Sequence, residues 1–343
     1  MSTASAIIET GPQWHLHRFD QVDDQDFSQT RWLHLSEELY RQASFLDQRI
    51  EPQALATATL SLQRAVQFLN GDPSPAPATR FIFHLGHCGS TLLSRALAAS
   101  PDILPLREPL TLRQLATRQT QQPMNDSLLA LVMDAHARVF RECQVAVIKA
   151  TSICNNLIEP VLASRPDVKA VGMYVSLETY LAGLLGKQSP ALDLRGHAPA
   201  RLADWRQIPG APALQPETMN DAELAVLAWL TGMRHLVAAA ATAPGQFQMI
   251  DFQALLESPE SCLTTTAEFF DHPDSVPAII RQWPDISIGY SKKPDEPYSA
   301  FNRMKTLQRG RMVRGDEITH GLRWAESLIS KLPSLESCQS YLD

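Results

Sequence analysis

Residues 81–91 read F-I-F-H-L-G-H-C-G-S-T and run on into L-L-S-R-A-L-A-A-S. An apolar run stops at Gly86. A short turn carries a second glycine, Gly89, and two hydroxyls, Ser90 and Thr91, precede an amphipathic run. This order predicts a strand over 81–85, a turn, and a helix over 91–100. Glycines let the chain turn with its N–H groups facing inward, and a helix N-terminus adds partial positive charge. The stretch therefore points to a bound anion, a phosphate or a sulfate.

The rest of the chain limits what can surround that turn. With 343 residues and 44% hydrophobic composition, there is material for one large α/β domain with an appendage, or for two domains. The net charge of −7 argues against a general nucleic-acid or anionic-membrane binder, so an anionic ligand needs a local basic pocket. The five cysteines form no C-x-x-C pair, which suits a reducing compartment and speaks against a zinc site; no metal is expected. No basic region precedes an apolar run at the N-terminus. The apolar stretch 224–243 is interrupted by Arg234 and His235 and reads as a buried helix too short to span a bilayer. The expectation is a cytoplasmic protein without a membrane partner.

Residues 1–78 read as a mainly helical appendage and linker. W-H-L-H-R-F-D suggests a short strand, 36–50 and 52–69 suggest helices, and G-D-P-S-P-A-P-A at 71–78 reads as a linker. Over 79–343 strands alternate with helices. Strands are expected at 103–106, 145–148, 168–175 and 247–250. Helices are expected at 126–141, 153–163, up to 186, 221–241 and 259–270. The Pro-rich stretch 188–216 reads as an irregular lid or substrate loop. The pattern implies an α/β, P-loop-like three-layer fold with a central mostly parallel sheet.

Rivals to the anion loop exist. G-H-C-G-S-T lacks the lysine of the Walker pattern, which disfavours ATP hydrolysis. His87-Cys88 followed by Arg95 approaches a phosphatase loop, but the arginine comes one residue late, a rotation of about 100° on a helix. Glu108 follows the second strand, where strand ends gather beside the loop; it is either a base near a transferring group or a cap on the helix that Pro109 opens. Lys149 ends the strand Q-V-A-V-I-K and is either a phosphate contact or a surface charge.

Taken in order, residues 86–93, S-P-D at 100–102, Glu108-Pro109, Lys149, R-P-D-V-K at 165–169 and residues 250–260 resemble the sulfotransferase superfamily, especially its bacterial and tyrosylprotein-like branches. The likeness spans roughly residues 80–270. The resemblance implies 3′-phosphoadenosine 5′-phosphosulfate as donor. The loop Gly86, His87, Cys88, Gly89, Ser90 and Thr91, with Lys149, would hold its phosphosulfate, and Glu108 would serve as general base for the acceptor. His87, which stands where the family has a basic loop residue, is a second catalytic candidate.

The family's R-D-x-R-x-x-x-S segment is replaced by V-S-L-E-T-Y-L-A-G, which sets Glu178 where a phosphate grip is expected. Residues 298–314 are basic and free of acidic residues, so Arg309, Arg311 and Arg314 are candidates for the missing contacts; the other reading is a solvated basic face. The resulting expectation is a sulfotransferase-like enzyme acting on a small-molecule or peptide hydroxyl or amine. Its acceptor pocket would be built from the Pro-rich segment, the appendage and the helices after Glu108. The alternatives are a non-catalytic nucleotide-binding or regulatory protein on the same fold, or a phosphotransferase.

Overall fold

The strands that lead to the glycine turn and its neighbours have apolar centres and are buried along their whole length, as a parallel sheet covered by helices on both sides requires. The computed structural model describes residues 11–23, 26–70, 78–187, 191–288 and 300–343. In chain order the N-terminal part holds β1 (Trp14–Asp23), β2 (Asp26–His34), α1 (Glu37–Gln42), a 3-10 turn at Gln48–Gln53, β3 (Ala56–Ser61) and α2 (Leu62–Asn70). Next come β4 (Thr79–His84), α3 (Ser90–Leu97), β5 (Ile103–Arg107), α4 (Leu110–Gln119), α5 (Asp126–Ala137) and β6 (Val145–Lys149). A 3-10 segment at Ser152–Leu157 leads into α6 (Ile158–Ser164), β7 (Lys169–Tyr174), α7 (Leu177–Leu185) and α8 (Ala191–Trp205). The remaining elements are α9 (Asp221–Thr242), β8 (Phe247–Asp251), α10 (Phe252–Glu257), α11 (Pro259–Phe269), α12 (Val276–Ile288), α13 (Ala300–Val313), α14 (Gly315–Ile329) and a 3-10 stretch at Pro333–Tyr341.

The main sheet has the order β5-β6-β4-β7-β8, and every pairing is parallel. From β4 the chain first crosses to β5 on one side and later to β7 on the other. The carboxyl end of β4 is therefore the point where the winding direction switches, the place where an open α/β sheet leaves a crevice for a ligand. The glycine turn sits at that end. Register brings Lys149 level with Ile82 and Arg107, so the ends of β4, β5 and β6 share one edge.

The N-terminal appendage is not mainly helical. It is a three-stranded antiparallel sheet, β1-β2-β3, with short helices. A-T-A-T-L-S reads as helix if alanine propensity is weighed, but alternating threonines suit a half-exposed edge strand, and pairing with β2 decides it. The appendage is tied down by Arg107, whose guanidinium donates to the carbonyls of Arg41 (3.0 Å) and Ala43 (2.8 Å) and to Ser94 Oγ (3.0 Å). The linker at 71–77 lies outside the described residues.

Two further differences concern helices. The stretch expected to be irregular after residue 188 contains α8, with Pro199 inside it. Helix α9 is 22 residues long and apolar enough to cross a membrane by length and composition. Its packing, not a shortage of length, makes it a core helix: it is buried along most of its length, and Trp229 Nε1 donates to the Val175 carbonyl (3.0 Å).

Candidate anion site at the sheet edge

The turn after β4 is built on left-handed backbone. Gly86, His87 and Gly89 have φ of 83°, 54° and 74°. Gly89 is the N-cap of α3, and a Cβ placed on it would fall 2.1 Å from Cε2 of Phe252. Only glycine meets both conditions. As in any helix start, the first amides of α3 have no intrahelical acceptor, and those of Ser90 and Thr91 find no partner among the described residues. Neither hydroxyl has a partner among the described residues, so amides and hydroxyls remain available to an anion.

The near side of the turn is occupied by the protein itself. The Gly86 amide donates to His84 Nδ1 (2.9 Å), so buried His84 braces the turn. Cys88 is buried, its thiol points to the Met173 carbonyl (3.2 Å), and burial pushes its pKa up to about 11. A thiol so held is no nucleophile at neutral pH, which removes the phosphatase reading. His87 is exposed, with its Nδ1 accepting from Lys187 Nζ (2.8 Å) at the end of α7.

Lys149 and Glu108 meet at the same edge. Lys149 is 1% exposed, which excludes a surface charge, and its Nζ lies 2.5 Å from Glu108 Oε1. The Glu108 amide donates to the Lys149 carbonyl (2.7 Å), and Glu108 has φ of 55°, a strained conformation for a residue with a side chain. Pro109, not Glu108, is the N-cap of α4, and no side-chain cap bond is made there. Glu108 Oε2 has no hydrogen-bond partner among the described residues.

The basic segment forms α13, which crosses α7 closely. A Cβ on Gly310 would come within 2.2 Å of the Ala182 carbonyl oxygen, and one on Gly186 within 2.3 Å of the Thr306 carbonyl oxygen. Arg311 is bidentate with Glu178 (2.8 and 2.7 Å), and Arg314 pairs with Glu317 (2.8 Å). Arg309 is exposed. The carboxylate expected to repel a phosphate is thus neutralised by one of the arginines proposed to attract it. Arg303 of this helix approaches the turn: its guanidinium carbon lies 4.9 Å from the centre of the Phe252 ring that covers Gly89.

The structure adds residues that sequence patterns did not single out for the turn. Ser152 Oγ lies 3.5 Å from a Cβ placed on Gly86, and Arg201 of α8 donates to that hydroxyl (3.0 Å). Tyr180 Oη donates to the Leu85 carbonyl (3.4 Å) and Asn155 Nδ2 to the His84 carbonyl (3.2 Å). In α8, Trp205 Nε1 donates to the Pro212 carbonyl (2.9 Å), and Arg195 reaches Asp221 (3.4 Å). A cleft of about 590 Å³ opens between α4 and the β1–β2 hairpin, lined by Phe19, Phe27, Arg113, Gln114 and Arg118 among others.

No family model matches the chain, and no curated protein matches it. Among solved structures the chain is similar to a sulfotransferase domain from the curacin biosynthetic pathway, at 13% identity and a TM-score of 0.36, over 71% of this chain and 99% of that one. It is also similar to sulfotransferase STF1 from Mycobacterium tuberculosis H37Rv, at 16% identity and a TM-score of 0.39, over 73% of this chain and 82% of that one. A sulfotransferase from Alicyclobacillus acidocaldarius matches at 12% identity and a TM-score of 0.37, over 75% and 97%.

Proposed function

We propose that the chain is a sulfotransferase-like enzyme that moves a sulfuryl group from 3′-phosphoadenosine 5′-phosphosulfate to a hydroxyl or amine. The observation that carries this reading is the pairing of two features on one edge: a glycine turn with unclaimed amides, and beside it a buried Lys149–Glu108 pair on strained backbone. The amides and hydroxyls of Ser90 and Thr91 hold the phosphosulfate. The acceptor oxygen attacks sulfur, the bond from sulfur to the phosphate oxygen breaks, and adenosine 3′,5′-bisphosphate leaves. The acceptor proton passes to Glu108 Oε2, while Lys149 holds the other carboxylate oxygen and fixes its direction. Phe252 and Arg303 flank the nucleotide side. In this reading Arg309 is the one of the three candidate arginines left to meet the 3′-phosphate, since Arg311 is engaged with Glu178 and Arg314 with Glu317. The acceptor approaches over the first turns of α4.

The test is a binding and turnover pair. Adenosine 3′,5′-bisphosphate should raise the melting temperature more than ATP or GTP, with no need for magnesium. Glu108→Gln should keep bisphosphate binding and lose turnover by 10²-fold or more, on the order expected for a general base. Because that variant strands a buried lysine, the double variant Glu108→Gln/Lys149→Met serves as the folded control. Full activity in either rejects Glu108 as base. One observation favours a second reading, a nucleotide-binding protein without transfer activity: where a phosphate grip is expected, Glu178 and Arg311 neutralise each other. Bisphosphate binding with no turnover on any hydroxyl or amine tested would select it.

A further inference from the structure

Charges buried in a folded chain are normally neutralised and supplied with hydrogen-bond partners, because an isolated charge out of water is costly. Arg201 departs from that rule. It is 5% exposed, and its Nη2 donates to Ser152 Oγ (3.0 Å). Among the described residues it has no other hydrogen bond and no carboxylate within ion-pair distance. Asp204, three residues along the same helix, is held by Arg234 (2.5 Å) and His235 (3.1 Å). Burial lowers the Arg201 pKa, with Tyr180, Asp204 and Cys154 acting only partly against it.

Its place gives this charge a use. The Ser152 hydroxyl it grips lies against Gly86, and a Cβ on Gly232, which would press on Leu85, would sit 3.8 Å from Arg201 Nη1. The guanidinium therefore stands beside the first residues of the glycine turn. Ser152 follows Lys149 by three residues, just past the end of β6, and Lys149 Nζ holds Glu108, so Arg201 and the Glu108 carboxylate stand at the same edge of the sheet.

The geometry points to Arg201, with Ser152 beside it, as the binding site for an oxyanion carried by the acceptor. The assignment rests on the transferase reading for the word acceptor. The substrate class is then a hydroxyl or amine compound that bears a carboxylate, phosphate or sulfate close to the group Glu108 deprotonates. An anion there also supplies the counter-charge that the described residues do not.

The experiment compares the full chain with Arg201→Met and Arg201→Lys, using sodium sulfate against sodium chloride at matched ionic strength, with and without saturating adenosine 3′,5′-bisphosphate. Without ligand, Arg201→Met is expected to melt at or above the wild-type temperature, because an apolar chain of similar length replaces an uncompensated charge. Sulfate is expected to stabilise the wild type in the presence of the bisphosphate, with at least a tenfold loss of affinity in Arg201→Met and an intermediate loss in Arg201→Lys. A lower melting temperature for Arg201→Met with an unchanged sulfate response makes Arg201 a structural residue and overturns the proposal. A sulfate response that vanishes once the bisphosphate is bound assigns the oxyanion to the donor and overturns it equally. If the bisphosphate does not bind at all, the transferase reading fails. The Arg201-dependent sulfate response, read without nucleotide, then shows whether the oxyanion site stands without an acceptor.

Discussion

At the carboxyl edge of the parallel sheet Lys149 and Glu108 are buried as charges that meet. At the seam between β1 and α5, His15 and His136 are buried as rings that stack, their centroids 5.0 Å apart. Neither ring nitrogen of His15 has a partner among the described residues, while His136 Nε2 contacts Thr111 Oγ1 (2.8 Å). Tyr40 closes the seam from α1, and His17 next to it contacts Glu51 (2.9 Å). Burial drives the His136 pKa down to about 3 and His15 well below its ordinary value, so both rings are neutral near pH 7. One region sets a lysine against a carboxylate; the other buries its imidazoles neutral. Charge retained at the cost of desolvation marks the place where chemistry is expected, and neutral imidazole marks packing.

That contrast breaks first at the ion pair. Glu108→Gln leaves Lys149 buried without its partner and should cost about 3–5 kcal/mol in urea unfolding, whereas Glu108→Gln/Lys149→Met should recover most of it. A single variant as stable as wild type would mean that the pair is not buried in solution.

The histidine seam should respond to acid. Both folded-state pKa values are depressed below the unfolded value near 6.5, so the stability these rings contribute is complete above that pH and is lost as pH falls toward the folded values. Each ring costs about 1.4 kcal/mol per pH unit well below 6.5, roughly 4 kcal/mol for the two by pH 5. Urea midpoints measured from pH 7.5 to 5 check this, and a flat profile rejects the neutral seam. His15→Phe sharpens the same point. The ring keeps its stacking and loses two unpartnered nitrogens, so stability at pH 7 should rise by about 1 kcal/mol or more and the acid slope should halve.

The smallest effect is expected where a charge pair lies at the surface. Arg311 is 49% exposed on its side chain, so Arg311→Ala should change stability by no more than about 1 kcal/mol, with high salt masking the difference. A large loss would mean that α13 depends on this pair rather than on its close glycine crossing with α7.

How much of this was readable varies by element. The strands of the main sheet were legible because parallel strands buried on both faces are continuous apolar runs. The turn was legible because Gly86 and Gly89 have local reasons to be glycine. The appendage was misjudged because residues 56–61 become a strand only by pairing with β2, a partner more than twenty residues away. The basic segment was visible as composition, but composition does not say that Arg311 is spent on Glu178 or that Arg303 lies over Phe252. Arg201 carried no local signal, since nothing in a Pro-rich stretch distinguishes a buried arginine from an exposed one.

The sequence by itself determined that a strand ends in a glycine turn opening a helix, and that Glu108 and Lys149 stand at strand ends. These follow from backbone conformation and apolar periodicity, which are local. Only the tertiary structure decided that Lys149 closes on Glu108, that Phe252 covers Gly89, and that Arg201 comes to rest beside the turn without a carboxylate among the described residues. Whether a charge is paired, buried or left over depends on neighbours brought from distant parts of the chain, and the order of residues along it does not encode those distances directly.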